Sequence, residues 1–181
     1  IKYPLPTKMV SASALATVGD VLAQQIQKQR SDVDQKTHDW ERSGRMALWY
    51  AVGSAIPGHF WYTYIVEHLV QSKGPLALVK KILLDEFVYT PPLHALFFWS
   101  QATMQGKSNA ESIASVKEKF FPTLISGWVF WPCMDAVTFS GLLAIRYRVL
   151  WVSVCQVFWA CFVSSMAEDH SRVIQLVYPA W

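Results

Sequence analysis

An all-α integral membrane bundle is the fold this sequence predicts, and three observations predict it. Residues 121–145 and 149–167 form two long apolar segments, each about 20 residues or more, enough to cross roughly 30 Å of hydrocarbon as a helix. Hydrophobic residues make up 52% of the 181-residue chain, aromatics 14% and charged residues 16%, whereas a soluble domain carries about 25% charged residues. One carboxylate, Asp135, lies inside the first apolar run. An ionisable group at membrane depth costs on the order of several kcal/mol unless it is paired or hydrated, so it demands an account.

The whole chain, residues 1–181, reads as one membrane domain with about four spans and an N-terminal helix. Residues 1–7 hold Pro4 and Pro6 and read as an irregular lead-in to a moderately apolar helix over 8–28. Ala12, Ala16, Asp20 and Gln24 share one face of that helix at i, i+4 spacing. Small residues permit close helix approach and polar ones bond across it, so this helix either spans weakly or lies at the interface. Residues 29–42 are rich in charge and read as the clearest aqueous loop, closing the N-terminal segment 1–42.

The first good span falls near 44–66, interrupted by Arg45 and by Pro57-Gly58-His59. Trp61, Tyr62 and Tyr64 supply an interfacial belt near its end. A loop with Lys73, Lys80 and Lys81 leads to a second span near 82–104, broken by Pro91-Pro92, which removes two backbone donors and predicts a kink. Residues 106–119 read as a polar loop with an amphipathic stretch near 112–120. The spans near 121–145 and 149–167 follow, joined at Arg146–Arg148, and 168–181 form a C-terminal tail. Four spans place both termini and the 105–119 loop on the side holding most of the lysines and arginines. If 8–28 also crosses, the N-terminus changes side.

Chemistry-bearing motifs are absent from the sequence. There is no GxSxG, HExxH, P-loop or GxGxxG pattern, and Gly106-Lys107-Ser108 reads as a turn. Cys133, Cys155 and Cys161 are odd in number and lie in apolar segments without a CxxC pair, which suits core filling rather than disulfides or zinc. His59 and His94 read as satisfied core histidines rather than haem ligands. No enzyme activity, cofactor or metal is expected. The net charge of +3 is too small and scattered for nucleic acid, and supports only a weak bias toward anionic headgroups.

The polar candidates at membrane depth are Asp20, Gln24, His59, Asp85, Asp135 and Thr138. Asp135 shares a helix face with Trp128, Trp131 and Thr138. It reads as a pore-lining acid or, more simply, as the partner of Arg42 or Arg45 from a neighbouring helix. Asp85 and Glu86 read as acids in the first turn of a span, after Lys81, complementing the helix dipole. Arg146 and Arg148 read as snorkelling to headgroups.

Taken together, these residues resemble the Mpv-seventeen / peroxisomal membrane protein family over nearly the whole chain. Pro6-Thr7-Lys8 comes first, then Gly19-Asp20 with Gln24, like the family's GDxxxQ. Arg42, Arg45 and Gly53 follow in family order. His59-Phe60-Trp61-Tyr62 is similar to the HxWY part of GPxxHxWY, and Lys81, Asp85 and Pro91 to KxxxDQ and its following proline. Trp128, Trp131, Pro132, Phe139, Arg148, Trp159 and Ser164 keep the order of WxxWPxxQxxNFxxVPxxxR and the trailing W…S, a packing motif. One position is deleted between Pro57 and His59; Glu86 and Asp135 stand for Gln, Thr138 stands for Asn, and Leu142-Leu143 stand for Val-Pro.

The resemblance implies a four-span protein of the mitochondrial inner membrane, or alternatively the peroxisomal membrane. It implies no catalysis and a role as a modest-conductance pore for small solutes or ions. Membrane lipids, cardiolipin among them, are the expected partners. The competing reading is a structural accessory subunit of a large inner-membrane assembly, a respiratory complex or ATP synthase. It is favoured by the aromatic-rich surface and by drift at the family's polar interior positions. A third reading is a lipid-organising protein without a fixed partner.

Overall fold

The computed structural model describes residues 4–30, 37–71, 74–139 and 145–168, and every regular element within them is helical. Helix α1 (Pro4–Arg30) starts earlier than the periodicity suggests. Pro4 and Pro6 sit in its first turn, where backbone N–H groups have no intrahelical acceptor and a proline forfeits nothing. The irregular lead-in is therefore helix.

Asp39 caps α2 (Trp40–Leu48), its backbone extended and its carboxylate accepting the Arg42 N–H at 2.9 Å. This is a strong N-cap geometry, and it ends the polar loop before Arg42, which is buried in the helix. The chain continues unbroken through a π-helical turn (Trp49–Ser54), α3 (Ala55–Phe60), a second π turn (Trp61–Ile65) and α4 (Val66–Leu69). Pro57 lies inside this rod. Its ring crowds the carbonyl four residues earlier, and a wider turn just before it relieves that crowding.

Gly74 adopts φ +104°, in the left-handed region, and Pro75 follows at the first position of α5 (Pro75–Leu84). Lys80 and Lys81 thus belong to a helix rather than a loop. A third π turn (Asp85–Tyr89) joins α5 to α6 (Thr90–Met104). Asp85 and Glu86 are consequently mid-rod rather than in a first turn, and the predicted disturbance at Pro91-Pro92 takes the form of this π turn.

A Schellman motif ends α6. The Gly106 N–H reaches the Thr103 carbonyl at 3.0 Å and the Lys107 N–H the Ala102 carbonyl at 3.2 Å, with Gly106 at φ +80°. Ser108 and Glu111 then form a capping box opening α7 (Asn109–Phe139). The Glu111 carboxylate accepts the Ser108 N–H at 2.8 Å and hydroxyl at 2.7 Å, and the Glu111 N–H donates back to Ser108 Oγ at 3.4 Å. The 106–119 loop is therefore a short turn followed by helix. Helix α8 (Ile145–Glu168) begins before Arg146 and Arg148, so these positions lie in its first turn rather than in a connection.

Five helical rods result among the described residues, and they alternate in direction. Lys8 meets His59 while Gln24 meets Asp39; Arg45 meets Gln101 while Trp61 meets Asp85; Thr103 meets Ser112 while Trp128 meets Glu86. Helix α1 is thus a full rod, and the chain enters at the end of the bundle opposite the one where α8 finishes.

Rods one and five pack most closely. A methyl on Gly19 would stand 2.7 Å from Ala160 Cβ and 2.9 Å from the Val157 carbonyl oxygen, so the two backbones meet there with no room for a side chain. Next to this contact, Ala16, Met46, Trp49, Tyr50, Phe97, Phe98, Trp159 and Val163 make the apolar core. Among the described residues no helix is long and apolar enough to cross a membrane. Buried polar residues punctuate each rod, Asp20, Arg42, Glu86, Lys119 and Ser164 among them.

Candidate functional site

The polar centre of the bundle is the Asp20 carboxylate, which has no exposed surface. Asp20 lies one turn before Gln24 on α1, so both project from one face toward the start of α2. Asp20 Oδ1 accepts Arg42 Nε at 2.7 Å and the hydroxyl of Ser164, on α8, in a very short bond. Oδ2 accepts the Ser43 hydroxyl at 2.6 Å and Gln24 Nε2 at 2.9 Å. Four donors from three rods thus converge on one carboxylate.

The surrounding bonds fix those donors in place. Gln24 lies along the backbone of Asp39, its Nε2 donating to the carbonyl at 2.9 Å and its Oε1 accepting the N–H at 2.8 Å. Arg42 also reaches Gln27 Oε1 at 2.7 Å through Nη1 and Ser164 Oγ at 3.1 Å through Nη2. His38 Nε2 stands 2.8 Å from Ser43 Oγ. A buried ion pair is tolerable only when the remaining lone pairs and protons are satisfied, and at Asp20 they are. Such a cluster has no vacant acceptor for chemistry and holds α1, α2 and α8 in register.

A second cluster lies toward the other end. Trp61 Nε1 donates to Asp85 Oδ1 at 3.0 Å, and the Trp61 ring stacks on Tyr89 at 4.9 Å. Trp128 Nε1 donates to the Glu86 carbonyl at 3.1 Å, within the third π turn. Between the two clusters, Trp159 is packed by Phe130 at 5.6 Å, Trp131 at 5.8 Å, Phe162 at 5.3 Å and His94 at 5.8 Å.

The sequence-predicted residues therefore separate. Asp20, Gln24 and Arg42 come together, whereas His59 and Asp85 belong to the opposite half, His59 beside Lys8 at 3.3 Å. Arg45 offers its carbonyl to Gln101 Nε2 at 3.3 Å. Lys81 is half-buried on α5, and Pro132 is half-buried inside α7. The side chains of Asp135, Thr138 and Arg148 lie outside the described residues. The expected Asp135 partner Arg42 is committed to Asp20 instead.

Sequence reasoning missed Gln27, Asp39 and Ser43 as members of the clasp. It also missed a buried polar stripe on α7, formed by Ser112, Ser115, Lys119 and Thr123. The signal for that stripe was the spacing of three, four and four residues, one helical face running from the polar loop 106–119, with its amphipathic stretch near 112–120, into the span near 121–145.

An all-helical bundle locked through a buried carboxylate is the class this geometry defines. A family profile described as "Mpv17 / PMP22 family" matches residues 102–164. PXMP2/4 family protein 4 of Dictyostelium discoideum is 33% identical over 172 residues, covering 93% of this chain and 89% of the relative. Protein sym1 of Aspergillus oryzae is 32% identical over 169 residues, 90% of each. Peroxisomal membrane protein 2 of Bos taurus is 28% identical over 167 residues, 92% of this chain and 84% of the relative. No solved structure matches. The chain belongs to the Mpv17/PMP22 family of membrane proteins. The clasp residues Gly19-Asp20, Gln24, Arg42 and Ser164 are the motif positions scattered along its sequence, brought to one point.

Proposed function

We propose that this protein is a channel-like helical bundle of an organelle membrane, passing small solutes or ions through the bundle interior. The resemblance favours the mitochondrial inner membrane, and the bovine relative's name points to the peroxisomal membrane as the alternative. One observation carries the reading: charged and polar side chains are buried among the rods while large apolar ones stand on the outside. Asp20, Arg42, Glu86, Gln101, Lys119 and Thr123 are buried, while Val10, Leu69, Leu76, Phe121, Val129 and Phe158 are each more than half exposed. Large apolar side chains around the whole perimeter suit lipid tails, and a bundle in lipid places its hydrogen-bonding groups inside. Rods whose polar residues face inward need not be uniformly apolar, because only the outer face meets lipid.

The test is reconstitution of the purified full chain into planar bilayers and solute-loaded liposomes. Discrete conductance steps and solute release above protein-free controls support the reading. Silence in both assays, with stoichiometric co-migration of the chain in a megadalton complex on blue-native gels, replaces it with the accessory-subunit reading.

A further inference from the structure

The stripe of α7 carries an inference beyond the pore reading, and rests on it. Helical hydroxyls in this protein commonly bond to a carbonyl one turn back. Thr17 reaches Ser13, Thr103 reaches Trp99, Ser126 reaches Pro122 and Ser165 reaches Cys161, at 2.8 to 3.0 Å. Thr123 departs from this habit. It is fully enclosed, yet its Oγ1 has no hydrogen-bond partner among the described residues. His94 Nδ1, from α6, is likewise enclosed and without a partner. A dry enclosure of two such groups is unfavourable, and both suit a polar guest.

The two groups meet the same short length of α7. A methyl built on Gly127, one turn beyond Thr123, would stand 3.9 Å from His94 Cε1 and 3.4 Å from the Trp159 ring. Gly19, the tight packing glycine, has no such room; Gly127 leaves space for about one methyl-sized group. On the near side the stripe runs through Lys119 and Ser115 to Ser112, whose hydroxyl meets Thr103 at 3.2 Å beside the Gly106 turn. On the far side stands the Trp159 ring with its aromatic neighbours.

We propose that Ser112, Ser115, Lys119 and Thr123 of α7, with His94 of α6 beside the Gly127 end of the stripe, form a hydrated lane for small hydrogen-bonding solutes, entered near the Gly106 turn and closed by Trp159. The lane's hydroxyls and imidazole offer both donors and acceptors, which fits water and small polyols or oxyacids rather than apolar molecules. Trp159 acts as an apolar constriction, the kind that gates by excluding water.

The experiment uses the full chain in liposomes with Cys133, Cys155 and Cys161 replaced by alanine. Thr123→Cys and Ser115→Cys report on the lane, and Val129→Cys, 68% exposed on the outer face, reports on the lipid. A small water-soluble methanethiosulfonate attacks only thiolates, which form in water and not in hydrocarbon. Labelling at Thr123→Cys and Ser115→Cys on the order of tenfold faster than at Val129→Cys is expected, and Trp159→Ala should accelerate both labelling and solute release. Ser115→Cys keeps the test open should Thr123→Cys fail to fold. Lane positions labelling no faster than Val129→Cys overturn the lane even if the protein conducts, leaving the pore reading to another path. Fast labelling without solute release in Trp159→Ala supports the lane as a solute site and removes both the gate and the pore.

Discussion

Removing the Arg42 guanidinium tests the clasp most directly. In Arg42→Met the alkyl stem remains, but Asp20 loses its only charged donor among the described residues and keeps the neutral Gln24, Ser43 and Ser164. Ser164 and Gln27 lose their guanidinium contacts as well. Breaking one side of a fully buried ion pair costs about 3–5 kcal/mol. For a chain of this size about 2–4 °C of melting temperature accompanies each kcal/mol, giving a fall of roughly 6–20 °C. The nine tryptophans provide the readout, as intrinsic fluorescence during thermal unfolding in a mild detergent. Asp20→Asn combined with Arg42→Met removes both charges and should recover a large part of the loss, because the penalty comes mainly from the charge left behind. Two results refute the reasoning. One is a single variant melting within about 2 °C of the parent, less than 1 kcal/mol on the same scale. The other is a double variant that loses the simple sum of the two single effects.

Other expectations follow from the packing and the caps. Gly19→Val should separate α1 from α8, since even a methyl meets backbone atoms at 2.9 to 3.0 Å; a loss of about 1–3 kcal/mol or more is expected, read as a lower melting temperature and faster proteolysis. Gly127→Ala, with only ring atoms at 3.4 Å and beyond, should melt close to the parent. Trp61→Phe keeps the stack on Tyr89 but loses the Asp85 bond, costing about 1.5–3 kcal/mol for a hydrogen bond to a charged group, visible in the same melt. Hydrogen bonds from the Ser108 side chain and backbone hold the Glu111 carboxyl below its ordinary range. A depressed folded-state value means the contribution is present above the ordinary glutamate range and is lost as pH falls through the depressed value. Ser108→Ala should raise the Glu111 titration midpoint in NMR and remove that acid-sensitive component of stability.

Much of the architecture was legible because it rests on period and punctuation. The turn at Gly106 and the helical period of 8–28 are local signals, and each has a counterpart in the fold; the caps at Asp39 and Ser108 are equally local but went unread. The boundaries failed where tertiary packing overrides local polarity. Ser112–Lys119 looks aqueous in sequence because its polar residues are dense, and only the neighbouring rods reveal that Ser112, Ser115 and Lys119 face inward. The clasp was half legible: Asp20 and Gln24 share a helical face by spacing alone. That Arg42 and Ser164 close on Asp20 depends on two rods brought together through Gly19, a long-range contact no local pattern encodes. The prolines predicted a disturbance but not its kind, since a kink and a π turn relieve the same crowding.

The three π turns among the described residues give this bundle an adjustable phase. Each adds a residue to one turn, and an added residue rotates all that follows by about 100° around the axis. The second rod has such turns on both sides of Ala55–Phe60, the very stretch where one position is missing relative to the family pattern. A deletion in an ordinary helix would swing Trp61 away from Asp85 and spoil every contact below. Here a turn can gain or shed its extra residue instead, so the rod absorbs the change in length within a few residues. Insertions and deletions, normally confined to loops, thereby become tolerable in the middle of a packed helix, provided they fall between Trp49 and Ile65.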